Sequence, residues 1–152
     1  MTIELIREDW EALAGRRGEF ANRFYAEFFR RYPEYRDLFP VQLDAQMERM
    51  IEMFSSIARF ADHPDLIQPY LLQVGFAHRR FGIRLSDADN FKNVFIDALG
   101  ETLGEGWDNS HESAWRHAFD DMLIPMFDEG LERGRREQST ERPETHDSRE
   151  TD

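Results

Sequence analysis

The sequence predicts an all-α domain of six or seven amphipathic helices. Apolar residues recur at spacings of three and four nearly throughout the chain, the period of a helix with one buried face. No segment alternates with the period of two that marks a strand, and no glycine-rich phosphate loop or internal repeat is present. The 152 residues suffice for one domain with its own core and not for two.

The elements follow in order. A first helix is expected over about Ile3 to Leu13, stopping near Gly15. A second, about Gly18 to Arg31, carries Phe20, Phe24, Phe28, Tyr25 and Phe29 on one broad aromatic face. Pro33 suits the start of a short turn, and Phe39-Pro40 ends it, because a residue before proline avoids helical geometry. The third helix, about Gln42 to Ala61, has the stripe Leu43, Met47, Met50, Phe54, Ile57 and Ala61. After "DHPD" a fourth is expected from Pro64 to Phe81, with Leu71, Val74 and His78 in line and Gly82 suited to a left-handed terminus. Ser86 or Asp87 is placed to cap the fifth, about 87 to 103, with Phe91, Val94, Phe95, Ala98 and Leu99 inward. The loop "GEGWDNS" leads to a last long helix, about Asn109 to Arg136, which Pro125 should kink. From Glu137 to Asp152 there is no aromatic or large aliphatic residue, so this stretch is expected to form a disordered acidic tail after a domain of residues 1–136.

Composition excludes several functions. Without cysteine there are no disulfides, thiolate metal sites or thiol nucleophiles, which fits a reducing cytoplasm. The net charge of −12 offers no basic surplus for nucleic acid or an anionic membrane. The apolar runs are too short to span a bilayer, and "MTIELIREDWEALAG" does not have the character of a signal peptide. Thirteen phenylalanines against four tyrosines can fill a core, or wall a pocket around a flat apolar ligand.

Three polar residues stand out. His78 lies on the inward line of its helix, one turn after Val74. The plainer reading is a core histidine bonded to a backbone carbonyl. A zinc site is poorly supported, because His63, His111, His117 and His146 are scattered. No serine or threonine has the setting of an activated nucleophile. The remaining chemistry is a single imidazole as axial ligand to a metal held in an organic ring. Gln46 flanks the third helix's stripe, one turn from Met50. Tyr25 sits among four phenylalanines, so its hydroxyl, if buried, needs a partner.

Four segments between about residues 20 and 130 resemble bacterial single-domain globins and the globin half of flavohaemoglobins. "RFYAEFFRRYPEYRDLFP" is similar to their second helix and corner, and Gln46 with Met50 to their distal "Q-x-x-x-L". "AHRRFGI" resembles their proximal "H-x-x-x-G-[VI]", and "ESAWRHAF" the opening of their last helix. The resemblance implies a globin fold, six to eight helices around a pocket for haem b. His78 would hold the iron. Phe39 would pack flat on the haem. Tyr25 and Gln46 would be the distal hydrogen-bonding pair, with Met50 their apolar neighbour. By helical position, Val74, Phe81, Ile83, Phe91 and Phe95 would touch the haem edge. One of Arg79, Arg80 and Arg84 would pair with a propionate, or all three remain solvated.

The implied function is binding of oxygen or another diatomic gas, nitric oxide and carbon monoxide included, for storage, transport or scavenging. The alternatives are a nitric oxide dioxygenase served by a separate reductase, a gas sensor acting through a partner protein, and a helical module that has lost haem. Three departures bear on the choice: no reductase region follows, Phe91 stands where the family has a tyrosine, and Gly130 where it has a glutamate, with Glu129 adjacent. The tyrosine–glutamate pair makes the family's proximal histidine electron-rich, so its loss weakens the case for dioxygenase chemistry. A slip of one turn would make Gln42 or Arg49 the distal residue, and His63 stays open as a second iron ligand.

Overall fold

A computed structural model describes residues 2–150, with side chains described as far as Gln138. Seven α helices occur: α1 (Thr2–Ala12), α2 (Arg17–Arg31), α3 (Asp44–Arg59), α4 (Pro64–Ala77), α5 (Leu85–Leu103), α6 (Asn109–Ala118) and α7 (Ile124–Glu150). Among the described residues there is no strand, and no helix is long and apolar enough to cross a membrane. The expectation of a disordered acidic tail concerns side chains that, from residue 139, lie outside the described residues; the backbone of α7 is assigned to Glu150.

The core is aromatic. Phe20, Phe24 and Phe28 are buried along α2, as their spacing requires, and α5 meets this face. Phe95 is the hub, with ring centroids 5.1 Å from Phe20, 4.3 Å from Phe54 and 5.4 Å from Phe119. Each such ring taken from water contributes on the order of 2 kcal/mol. α1 is tied in by polar bonds. Trp10 Nε1 donates to Ser55 Oγ at 2.9 Å, while the buried Asp9 carboxylate accepts from Trp115 Nε1 at 2.9 Å and His111 Nδ1 at 2.8 Å.

α4 leans on α7 and not on α3, with which it has no extended contact. Its crossing with α7 is glycine to glycine. A Cβ on Gly75 would lie 3.0 Å from the Phe127 carbonyl carbon, and one on Gly130 would lie 2.9 Å from that of Leu72. The two backbones therefore touch, and α4 packs on α7 rather than on α3.

Several boundaries differ from expectation. The fourth helix ends at Ala77, and His78 is its C-cap, with a 3-10 turn over Arg79–Phe81 before left-handed Gly82 (φ 65°). The early end follows from the tight reversal at Gly82, which shortens the last turn to i→i+3 bonding. The fifth helix begins at Leu85 rather than 87. Asp87 acts from its third position, accepting the Arg84 backbone N–H at 2.9 Å, and also accepts the Tyr35 hydroxyl at 2.5 Å. The last helix is split by a π-helical turn over Phe119–Leu123. Pro125 has no N–H to offer, and Ile124 N–H reaches back to the Phe119 carbonyl, so the helix widens into a π turn just before the proline.

Candidate functional site

His78 stands half-buried at the C-terminal end of α4. Its Nδ1 lies 2.7 Å from the Val74 carbonyl oxygen, one turn back. That oxygen can only accept, so in the neutral ring Nδ1 carries the proton and Nε2 keeps its lone pair. No described residue bonds Nε2. Phe127 and Phe81 flank the ring at 5.4 and 5.9 Å between centroids and fix its plane.

Tyr25 and Gln46 come together from α2 and α3. Burial pushes the Tyr25 phenol up to about 12, opposed by a hydrogen bond from the Gln46 side chain and by the charge of Arg49. Arg49 Nη2 donates to Gln46 Oε1 at 3.1 Å. Met50, one turn along from Gln46, is buried. Gln42 is exposed ahead of α3, and Arg49 is exposed on it. His63 caps the start of α4, about 22 Å from His78 at 1.5 Å per residue, too far to share one metal ion with it.

The expected wall residues divide by burial. Phe39, Val74, Phe81, Ile83 and Phe91 are half-buried, whereas Phe95 is wholly enclosed in the aromatic core. Phe39 stands edge-on to Tyr25 at 5.7 Å and to Phe29 at 5.2 Å. Phe91 packs on Phe24 at 4.9 Å and so belongs partly to the core as well. Of the nearby arginines, Arg79 is held over Phe76 at 4.2 Å and donates to the Phe76 carbonyl. Arg80 and Arg84 are exposed.

Among the described residues no carboxylate bonds His78. Gly130 is spent on the helix crossing, and Glu129 is exposed, accepting from Arg133 at 2.9 Å. Among the described residues no group of three His, Asp or Glu is placed to hold a metal ion alone.

Some site features were not foreseen. The Arg49–Gln46 bond depends on side-chain rotamers, which spacing does not specify. The Asp9–His111–Trp115 cluster had a sequence signal: Asp9 lies within the Ile6, Trp10, Leu13 stripe, where a carboxylate needs buried donors.

The residues present fit a flat, apolar, metal-centred group. Among the described residues the His78 Nε2 is unbonded, the expected wall residues other than Phe95 are apolar and half-buried, and Tyr25 and Gln46 lie near each other on α2 and α3. The fold is that of a helical haem-binding protein. The Globin family model matches residues 22–125, and the chain belongs to the globin family of haem-binding proteins. It is similar in structure to an engineered carbene transferase derived from a proposed nitric oxide dioxygenase of Rhodothermus marinus. The TM-score is 0.76 and the identity 24%, over 86% of this chain and 92% of that one. A bacterial globin from Campylobacter jejuni aligns with TM-score 0.75 and 17% identity, over 86% of this chain and 95% of that one. No curated protein matches the sequence.

Proposed function

We propose that this globin holds haem b through His78 and reversibly binds oxygen, with Tyr25 and Gln46 as distal donors. One observation carries the reading: the Val74 carbonyl fixes the His78 tautomer, so that Nε2 presents a lone pair with no competing partner. Haem iron, when bound, supplies the coordination site for a diatomic gas. His78, at the end of α4, would hold that iron through Nε2. Phe39, Val74, Phe81, Ile83 and Phe91 exclude water from the site. Met50 closes it beside the distal pair. The Tyr25 hydroxyl and Gln46 amide would serve as hydrogen-bond donors to a bound gas that carries partial negative charge. Each such bond to a charged acceptor is worth about 1.5–3 kcal/mol, enough to slow release by ten-fold or more.

The optical spectrum of the haem-loaded protein tests this. The expected result is a Soret band that moves between ferric, ferrous and carbon-monoxide forms, and that is lost or strongly altered in His78→Ala. A spectrum indifferent to His78 overturns the assignment.

A second reading is nitric oxide dioxygenation with a separate reductase, favoured by the structural likeness to the Rhodothermus marinus protein. The neutral carbonyl behind His78 gives less electron push than a carboxylate would, so the first reading is preferred. Nitrate formed from nitric oxide by the oxygen-loaded protein, sustained by an added reductant, would favour the second.

A further inference from the structure

Resting on that reading of the site, we infer that Asp87 is a positioning residue. Its one carboxylate clasps the corner that carries Phe39 to the turn that follows His78, and so helps the site retain haem.

The two segments are otherwise separate. Phe39 follows the 3-10 turn Pro33–Leu38, which packs on α2 and has no extended contact with α5 or with the 3-10 turn after His78. The corner is tied within itself. The Phe39 N–H donates to the Arg36 carbonyl at 3.1 Å, and the Arg36 guanidinium donates to the carbonyls of Pro40 and Val41, each at 3.0 Å. Whatever holds Tyr35 therefore also places Phe39. The other segment is equally short. The Phe81 N–H donates to the His78 carbonyl at 3.1 Å, Gly82 reverses the chain, and Arg135 of α7 donates to the Ile83 carbonyl at 2.6 Å. Arg84 is the last residue of this turn before α5.

Asp87 bonds both segments. Its Oδ2 accepts the Arg84 N–H at 2.9 Å, as a helix cap does, and its Oδ1 accepts the Tyr35 hydroxyl at 2.5 Å. Capping needs a single acceptor, so the second oxygen does nothing for the helix end. It is bound instead to a residue far off in the chain. The Tyr35 hydroxyl is filled on both sides, since it also accepts from Asn90 Nδ2 at 3.0 Å, one turn along α5. Phe28 stacks on the Tyr35 ring at 5.0 Å and steadies it. The acceptor is a half-buried carboxylate, which makes the stronger kind of hydrogen bond. Among the described residues Asp87 bonds neither Phe39 nor His78, so it acts on them through Tyr35 and Arg84.

Two readouts test the clasp: amide hydrogen exchange in the haem-free protein, and transfer of haem from the ferric protein to excess apomyoglobin. Tyr35→Phe removes the hydroxyl and leaves the cap. Exchange at the Phe39 amide should become about ten-fold faster while the Arg84 amide keeps its protection. Asp87→Ala should release both amides. Either variant should lose haem about ten-fold faster than wild type. Asp87→Asn should restore both readouts to within about two-fold, because its oxygen can accept the Arg84 N–H and its NH2 can donate to Tyr35 Oη. Thr102→Val, which removes a buried hydrogen bond to the Ala98 carbonyl further along the same helix, is the control for general destabilisation and should move neither readout. Wild-type exchange at Phe39 in both Tyr35→Phe and Asp87→Ala overturns the clasp. Faster exchange with unchanged haem loss overturns its role in retention. A wild-type protein that takes up no haem overturns the proposed function instead, while exchange at Phe39 and Arg84 still decides whether Asp87 joins the two segments.

Discussion

Gly130→Ala sets two physical effects against each other. Helix propensity alone favours alanine by about 1 kcal/mol in a helix interior. The tertiary packing opposes it. The new Cβ would lie 2.9 Å from the Leu72 carbonyl carbon and 3.0 Å from the Phe76 nitrogen, where carbon contacts are comfortable at about 3.5 Å or more. Both neighbours are backbone, so no rotamer change relieves the contact. α4 and α7 must separate by at least about half an ångström along a crossing that is glycine on both sides. Overpacking of this kind costs about 1–3 kcal/mol, and the rigidity of the neighbours puts it at the upper end. The expected net loss is about 2 kcal/mol, or a fall in melting temperature of about 4–8 °C. Urea unfolding of the haem-free protein, followed by circular dichroism, measures it. Gly18→Ala is the internal control. That glycine is also helical, but nothing lies within 4 Å of its would-be Cβ, so about 0.5 kcal/mol of stabilisation is expected. A Gly130→Ala protein as stable as wild type would refute the claim that backbone contact sets the α4–α7 spacing.

The Tyr25 phenol predicts alkaline behaviour. Its folded value of about 12 lies above the ordinary 10, so between those pH values the unfolded chain has released a proton that the native state keeps. Stability should be fully present below pH 10 and fall by about 2–3 kcal/mol as pH rises through 12. Tyr25→Phe should remove that part of the fall, as unfolding at pH 9 and near 11.5 would show. Tyr35, also raised to about 12 by burial and the Asp87 carboxylate, should leave a remaining fall in the variant. Asp9→Ala strips the acceptor from Trp115 Nε1 and His111 Nδ1 and should cost about 2–4 kcal/mol in the same urea assay. A loss under about 0.5 kcal/mol would show that the cluster does not tie α1 to α6.

Much of the fold was legible because helices announce themselves locally. The aromatic spacing on α2, the proline at the corner and Gly82 each act within a few residues, so reading them needs no knowledge of the rest of the chain. The π turn was not legible, since proline tells that a bond is missing but not how the helix will absorb it. For the site, the sequence placed His78, Tyr25 and Gln46 on inward or flanking faces. The family resemblance, not the periodicity, connected them.

By itself, then, the sequence determined the all-α class, most helix positions and the candidate polar residues, because period and composition are local quantities. Only the tertiary structure decided three things. It set which nitrogen of His78 is unbonded, because that depends on the Val74 carbonyl. It enclosed Phe95 in the core while leaving Phe91 half-open, because both share one helical face and only the neighbouring helices separate them. It gave the Gln46 carbonyl to Arg49, because an amide's orientation is fixed by its partners and not by its place in the chain.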